Sequence, residues 1–168
     1  MSERKKVRKV FLVWDFEKEE HWLNEMALSG WLLDKVGFCS YEFIPCIPGE
    51  YTLRLEMHPY DEEYIRFMEE TGARYIGRMV QWLYFRKKTA DGEFDIFSDL
   101  DSKINHMDKI GKVLWGVGLA NLLIGIVNSF GTVNIGWVNL LCATGLMYGL
   151  GRIHEKKEVL KEKRFLME

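Results

Sequence analysis

The sequence predicts an α+β protein in which a ferredoxin-like domain, with the order βαββαβ, is followed by a two-helix transmembrane hairpin. Three observations support this prediction. The chain of 168 residues contains one long run without charged side chains. Before that run, strand-like and helix-like segments follow one another in the split βαβ order. A weak internal repeat also matches one half of this soluble part to the other.

The uncharged run extends from Val113 to Gly151 and contains no Asp, Glu, Lys, Arg or His. One bilayer crossing needs roughly 20 apolar residues, so the run is long enough for two crossings. Asn128–Asn134 is rich in turn-forming residues, which divides the run into Val113–Phe130 and Val133–Gly151. The alternative is a buried helical pair in a soluble core. It is disfavoured because the rest of the chain offers too few apolar segments to surround two such helices.

Basic residues gather at the N-terminus and on both sides of the uncharged run. The turn of the hairpin has none, so the positive-inside rule places both termini in the cytoplasm. The cysteines are odd in number and the histidines are scattered, so neither a disulfide framework nor a metal site is expected. The cysteines are Cys39, Cys46 and Cys142, and the basic residues are Arg4, Lys5, Lys6, Arg8, Lys9, Lys103, Lys109, Lys112, Arg152, Lys156, Lys157, Lys161, Lys163 and Arg164.

The soluble part shows two kinds of local pattern. Dense β-branched and aromatic stretches, or strict alternation of apolar and polar residues, are typical of strands. An acidic first turn and a closing glycine are typical of helices. The predicted strands are Val7–Trp14, Trp31–Ile44, Tyr51–His58, Ala73–Lys87 and a short fifth strand at Glu93–Phe97, and the predicted helices are Asp15–Gly30 and Pro59–Gly72.

The internal repeat emerges when the chain is shifted by forty-two residues. Few positions match, but the matched residues are of similar chemical type, as two βαβ halves would require. The matched pairs are Trp22 with Tyr64, Leu23 with Ile65, Met26 with Met68, and Ser29-Gly30 with Thr71-Gly72.

A predicted amphipathic linker helix joins the soluble domain to the first crossing. Ser98 and Asp101 resemble a capping box at its start. After Gly151 a basic helix is expected to continue through Phe165, against anionic headgroups. The expected organisation is a domain at 1–97, the linker helix at 98–112, the hairpin at 113–151 and a basic cytoplasmic tail at 152–168.

Small and amide side chains form a stripe on each predicted crossing. Steps of three and four residues place them on one helix face, where small residues let helices approach and Asn bonds across the contact. The alternative is a polar path or ligand site near mid-membrane. Packing is favoured because no acid or base accompanies the amides. The predicted packing residues are Gly118, Asn121, Gly125, Asn128, Asn139, Ala143, Gly145 and Gly149.

One face of the predicted sheet is expected to be open and to bind a partner. Single-strand RNA binders of this fold use aromatic and basic residues on such a face. Here Glu56 would repel phosphate and the glycine–aromatic pattern is missing, so no nucleic acid is expected. A protein contact, a dimer seam or a small apolar ligand is the expected occupant. The residues predicted on this face are Arg54, Glu56, Trp82, Tyr84 and Arg86.

The sequence contains no recognisable catalytic grouping. A Gly-rich phosphate loop, a nucleophile elbow and paired metal ligands are all missing, so no cofactor is expected. The leading expectation is a non-enzymatic protein that a lipid bilayer anchors, that binds or senses a protein partner and that self-associates. The alternatives are a small oligomeric transporter or permeability factor built on the amide stripes, and an enzyme at the membrane surface.

The block Phe16–Trp31 contains an acidic-Trp-Leu-Asn-Glu-Met-Ala-x-x-Gly-Trp pattern. Together with Phe94–Asp99 and Ser102–Ile104, it resembles a family of small bacterial membrane proteins, the domain of unknown function 2812. The resemblance covers residues 7–110 and implies a cytoplasmic domain followed by helices in the bacterial inner membrane. Members often lie beside a PadR-type regulator, which implies a regulatory role in envelope or stress response. The resemblance transfers no catalytic residue.

Overall fold

The structure, a computed structural model, describes residues 3–130 and 135–167. The chain divides into two compact units, with the boundary between Ile96 and Phe97. The first, here the N-terminal unit, contains both strands and helices, and the second, the helical unit, contains two long helices. The predicted α+β class is confirmed.

The N-terminal unit contains six strands and two α-helices among its described residues. The strands form two antiparallel three-stranded sheets, sheet one with the order β1-β3-β2 and sheet two with the order β4-β6-β5. Each sheet and its helix follow the order strand, helix, strand, strand. The elements are β1 Lys5–Arg8, α1 Phe16–Leu28, β2 Trp31–Gly37, β3 Ser40–Pro45, β4 Tyr51–Met57, α2 Glu62–Glu70, β5 Arg74–Met79 and β6 Trp82–Lys88.

The two halves of this unit repeat one another, as the forty-two-residue offset predicts. α1 and α2 are each followed by a glycine with a positive φ, Gly30 at 85° and Gly72 at 88°. Glycine adopts this left-handed conformation without the steric cost that a Cβ would add. In each half the glycine reverses the chain into the hairpin of the last two strands.

Two predicted long strands are in fact hairpins. Trp31–Ile44 contains the whole of β2 and most of β3, and Ala73–Lys87 contains β5 and nearly all of β6. Their turns hold Cys39 at φ 50° and Val80 at φ 57°. Glycine, Asn or Asp normally marks such positions, so the sequence carried no turn signal. The observed order is βαββ repeated twice, which differs from βαββαβ, and the ferredoxin-like fold is not confirmed.

Two further strand predictions need correction. β1 covers Lys5–Arg8 rather than Val7–Trp14, and Val13–Asp15 forms a 3-10 turn. The apolar residues after β1 pack instead of pairing, since the ring of Phe11 lies 5.5 Å from that of Trp22. Glu93–Phe97 forms no strand. Phe94 is buried in the core on the α2 side of sheet two.

The described residues of the helical unit form α3, Leu100–Ser129, and α4, Gly136–Phe165. α3 runs without a break from the predicted linker into the uncharged run, and α4 continues through the basic tail, as expected. The α3 capping box uses Asp99 and Ser102, one residue beyond the predicted pair. The helices pack antiparallel, because Asp108 bonds Lys157 near one end and Gly125 approaches Gly136 near the other.

One helix among the described residues, α3, is long and apolar enough to cross a membrane, and 22% of its apolar window is buried. α4 does not meet this condition, since polar residues and glycines interrupt its apolar part before Arg152. The predicted two-helix transmembrane hairpin is therefore not confirmed. Residues 131–134 of its predicted turn lie outside the described residues.

Candidate functional site

The five residues predicted on one open face lie on both faces of sheet two. Directly opposed residues of an antiparallel pair share a face. Leu55 is opposite Tyr84, and Arg54 is opposite Phe85. Trp82, Tyr84 and Arg86 therefore lie on one face with Leu53, Leu55 and Met57, whereas Arg54 and Glu56 lie on the other with Leu83 and Phe85.

Neither face of sheet two is open at these positions. Tyr84 is 1% exposed, Glu56 and Trp82 are each 6% exposed, and Arg86 is 9% exposed. α1 covers the first face, where the Phe16 ring stacks on Trp82 at 5.2 Å. The α2 side covers the second, where Met68 and Phe94 pack with Phe85. The predicted open face is thus wrong for this sheet, because helices cover both of its sides.

A buried carboxylate joins the two sheets through α1. The Glu19 Oε1 atom accepts hydrogen bonds from the Tyr41 hydroxyl of sheet one at 2.7 Å and from the Tyr84 hydroxyl of sheet two at 2.6 Å. Burial raises the pKa of Glu19 above its ordinary value, although the two hydroxyl groups oppose this shift. Burial is also the main cause of the raised pKa values of Tyr41 and Tyr84. Glu19, Tyr41 and Tyr84 therefore form a cluster in which both hydroxyl groups donate to one carboxylate, and this cluster links the two sheets within the core.

The next residue of α1, Glu20, and Asn24 one turn further along cover the free edge of β4. Asn24 Oδ1 accepts from the Leu53 amide at 2.9 Å, and Asn24 Nδ2 donates to the Leu53 carbonyl at 2.9 Å. Glu20 accepts from the Leu55 amide at 3.1 Å and from the Arg54 guanidinium at 3.2 Å. An edge strand exposes unpaired backbone groups that promote unwanted pairing. α1 satisfies those groups in the way that a neighbouring strand would.

The remaining predicted site residues also bond within the protein. Glu56 accepts a hydrogen bond from the Tyr64 hydroxyl of α2. Arg86 donates to the Leu33 carbonyl of β2 at 2.9 Å, and its guanidinium lies 5.7 Å from the centre of the Tyr51 ring. These side chains hold α2 and sheet one against sheet two. The geometry assigns them a structural role.

An open sheet face does exist, on sheet one. Lys6 and Arg8 of β1 are opposite Glu42 and Ser40 of β3, so the four share a face. Lys6 donates to Glu42 at 3.1 Å, and the Lys6 side chain is 60% exposed. The alternation Lys6-Val7-Arg8 would have indicated this face. The sequence prediction misses this face because it assigns the basic residues to a membrane flank and begins the strand at Val7, whereas β1 begins at Lys5.

A groove of about 560 Å³ lies at the edge of this open face. Three cations and the exposed ring of Phe38, at the tip of the β2–β3 hairpin, give it a basic and apolar lining. The Lys9 ammonium is held 4.5 Å from the centre of the Trp22 ring. The basic groove is lined by Lys6, Arg8, Lys9, Val10, Phe38, Cys39 and Ser40.

The predicted stripes of α3 and α4 meet in large part. Asn139 Nδ2 donates to Asn121 Oδ1 at 3.2 Å, and Asn121 Nδ2 donates to the Val117 carbonyl at 2.9 Å. A Cβ on Gly118 would stand 2.6 Å from Met147, and one on Gly125 would stand 2.8 Å from Leu140. The glycines thus permit the close approach of the helices. Ala143 and Gly149 are buried on α4, and Asn128 is half-buried near the end of α3.

Gly145 is the exception among the predicted packing residues. It is exposed, and a Cβ at this position would meet no atom within 4 Å. The small-xxx-small spacing from Gly145 to Gly149 therefore does not pack against α3 as predicted. Gly136 does so instead, since its Cβ would lie 2.3 Å from the Gly125 carbonyl oxygen. The sequence prediction does not include Gly136 because this residue lies close to the predicted turn.

The chain matches the model of the family described as "Protein of unknown function (DUF2812)" over residues 15–119, more than half of its length. The chain belongs to this family. No curated protein and no solved structure matches it.

The DUF2812 match includes α1, both hairpins, α2 and the first two thirds of α3. It contains Glu19, Glu20 and Asn24 together with the groups that they bond. It also contains Gly118 but ends two residues before Asn121. The acidic-Trp-Leu-Asn block that carries the resemblance is therefore the part of α1 that joins the two sheets and covers the β4 edge.

No cluster of three or more His, Cys, Asp or Glu side chains with metal-binding geometry occurs among residues 3–130 and 135–167. The three cysteines are free thiols. The acidic side chains of the core are engaged with hydroxyl, guanidinium and amide donors, as described above.

Proposed function

We propose that this protein is a membrane-anchored binding protein, in which the helical unit is the anchor and the basic groove of sheet one binds an acidic protein partner. The proposal places it in the bacterial cytoplasmic membrane with both termini inside, in a regulatory role. The single observation that carries the binding role is the basic groove, an open and charged surface on the sheet. On sheet two, by contrast, the predicted residues Glu56, Trp82, Tyr84 and Arg86 are buried, and the half-buried Arg54 is paired with Glu20.

The exposed apolar surface of α3 supports the anchor. Val127 is 69% exposed, Trp115 is 56% exposed and Leu123 is 55% exposed. A helix that is apolar on all sides is stable when buried or surrounded by lipid. The positive-inside distribution of Lys and Arg supports a cytoplasmic N-terminal unit. The exposed apolar faces of both helices also support self-association.

The charge balance of the groove supports an acidic partner. Lys6 is paired with Glu42, and Arg4 is paired with Asp34 at 3.1 Å. Arg8 has no acidic partner among the described residues. Its guanidinium is therefore available for a bidentate bond to a carboxylate. Phe38, which is 85% exposed beside it, offers the apolar contact that specific interfaces place near their charged residues.

The amide pair within the helices gives no support to a transport role. Asn139 donates to Asn121, and Asn121 donates to the α3 backbone, which is the arrangement of a packing contact. We therefore propose anchoring and assembly for these helices. Replacing Asn121 by Leu provides a direct test. If the variant protein no longer self-associates, the amide pair has a packing role. If it still self-associates but solute flux across the membrane is lost, the result would support transport.

Membrane residence is tested by alkaline extraction of membranes that contain the full-length protein. The proposal predicts that the protein remains in the pellet with integral proteins. Recovery in the supernatant would contradict the anchor.

Partner binding is tested in cells with a photocrosslinking amino acid at Phe38. We expect capture of a discrete acidic protein, and Arg8→Glu should lower this capture by about tenfold or more through like-charge repulsion. Arg66→Glu, on the exposed side of α2, is the matched control and should leave capture unchanged. Equal capture by both variants would contradict the proposed groove.

A further inference from the structure

A second groove, separate from the basic groove, lies between α3 and α4 where their charged parts meet the uncharged run. Its volume is about 290 Å³. On α3 the lining residues follow helical spacing on one face. The groove is lined by Asp108, Gly111, Lys112, Trp115, Leu150 and Lys157.

One half of this interhelical groove is charged. Lys157 Nζ lies 2.9 Å from Asp108 Oδ1, and the two side chains are only 20% and 42% exposed. Asp108 thereby fixes the position of the Lys157 ammonium. Lys112 is exposed and has no acidic partner among the described residues. The two lysines and one aspartate leave an excess of one positive charge at this end.

The other half is apolar. Trp115 is 56% exposed and Leu150 lies opposite on α4. The two helices lie close together at Gly111, because a Cβ at this position would lie 3.6 Å from Leu150 Cδ1. Lys112 is the last charged residue before the run that begins at Val113. The change from charged to apolar lining therefore coincides with the boundary of the proposed membrane segment.

We infer that the interhelical groove binds an anionic phospholipid, with the phosphate at Lys112 and Lys157 and an acyl chain on Trp115 and Leu150. Basic pockets between membrane helices on the cytoplasmic side suit anionic headgroups. Tryptophan is favoured at the same level because its ring is amphipathic. The inference rests on the proposed membrane anchor, and it adds a specific lipid class and binding residues to it.

The test uses full-length protein in neutral detergent, titrated with phosphatidylglycerol, phosphatidylcholine or inorganic phosphate while thermal unfolding is followed. We expect saturable stabilisation by phosphatidylglycerol alone. Lys112→Gln should raise the half-saturating concentration by about fivefold, the effect of one basic residue near an anionic lipid. Lys109→Gln, on an exposed position of the same helix, should leave it unchanged.

Three outcomes would overturn the inference. They are equal stabilisation by phosphatidylcholine, stabilisation by inorganic phosphate alone, or equal half-saturation for Lys112→Gln and the unchanged protein. The second would assign the lysines to a free anion. Alkaline extraction separates this inference from the proposed function. A protein that remains in the membrane but does not prefer phosphatidylglycerol contradicts the lipid site alone, whereas extraction contradicts the anchor.

Discussion

At Glu19 the protein buries a carboxylate in a position that a sequence pattern assigns to the solvent. Acidic residues in the first turns of a helix are usually exposed. Glu19 is 5% exposed, because Tyr41 and Tyr84 come from two different sheets to reach it. The tyrosines are 43 residues apart along the chain. Their meeting at one oxygen atom depends on how the two sheets pack around α1.

Glu19→Gln is predicted to reduce the pH dependence of stability. The pKa of Glu19 is raised from 4.5 in the folded protein by burial. A raised folded pKa contributes stability that is fully present below the unfolded pKa and is lost as the pH rises through the folded pKa. The midpoint of thermal unfolding of the full-length protein should therefore fall less between pH 4.5 and pH 7 in the variant.

Glu70→Gln is the matched control for this measurement, since Glu70 is exposed at the end of α2. The control should follow the pH profile of the unchanged protein. Glutamine retains the oxygen that accepts both tyrosine bonds, so a general loss of packing should be small. Identical profiles for Glu19→Gln and the control would contradict the assigned role of the carboxylate.

Asn24→Ala is predicted to lower the free energy of unfolding by about 1–3 kcal/mol, the cost of leaving buried polar groups without partners. Leu53 is 1% exposed, so water cannot easily replace the Asn24 side chain at its amide and carbonyl. Denaturant unfolding of the full-length protein measures the change. Glu25→Ala, the next residue on the exposed side of α1, should change stability little. A similar loss in both variants would show that Asn24 contributes through helix formation alone.

At the scale of the element, the helices of this protein follow their sequence signals more closely than the strands do. α1 begins near Asp15 and is followed by Gly30, as acid and glycine signals indicate. The hairpin turns lack such signals, because Cys39 and Val80 occupy positive-φ positions that favour glycine. Local pattern therefore located helices well and merged pairs of strands into single long ones.

Gly136→Ala is predicted to disrupt the packing of α4 on α3. A Cβ at this position would lie 2.3 Å from a backbone oxygen of Gly125, and backbone atoms cannot rotate away as a side chain does. Overpacking of this kind typically costs about 1–3 kcal/mol. The melting temperature of the full-length protein in detergent should fall.

Gly145→Ala is the matched control on the same helix. The added methyl group meets open space, and alanine favours a helix over glycine by about 1 kcal/mol. The melting temperature should therefore stay the same or rise. A fall as large as that of Gly136→Ala would show that Gly145 packs against a second copy of the chain.

At the scale of the whole molecule, the chain combines a repeated βαββ unit with a pair of long helices. The boundary between the two compact units falls just before residues 97–99, which form no regular element. We predict that limited proteolysis of inverted membrane vesicles cuts there. After a salt wash, the N-terminal fragment should be in the supernatant and the helical fragment in the pellet, as mass spectrometry will show.

This experiment tests the membrane anchor and the accessibility of the boundary separately. Release of both fragments would contradict the membrane anchor. Retention of an uncut chain under conditions that digest an unfolded control would contradict an accessible boundary at these residues. Arg8→Glu, which alters the basic groove, should leave the cleavage pattern unchanged.

The sequence by itself determined the α+β class, the family, the repeat of forty-two residues and the long apolar helix α3, because these depend on composition and local spacing. Only the tertiary structure decided which surfaces are free. The register of β4 on β6 separated Arg54 and Glu56 from Trp82, Tyr84 and Arg86, and packing of α1 and α2 then buried both faces. Alternation shows that a strand has two faces, but the elements packed against each face determine whether it is exposed.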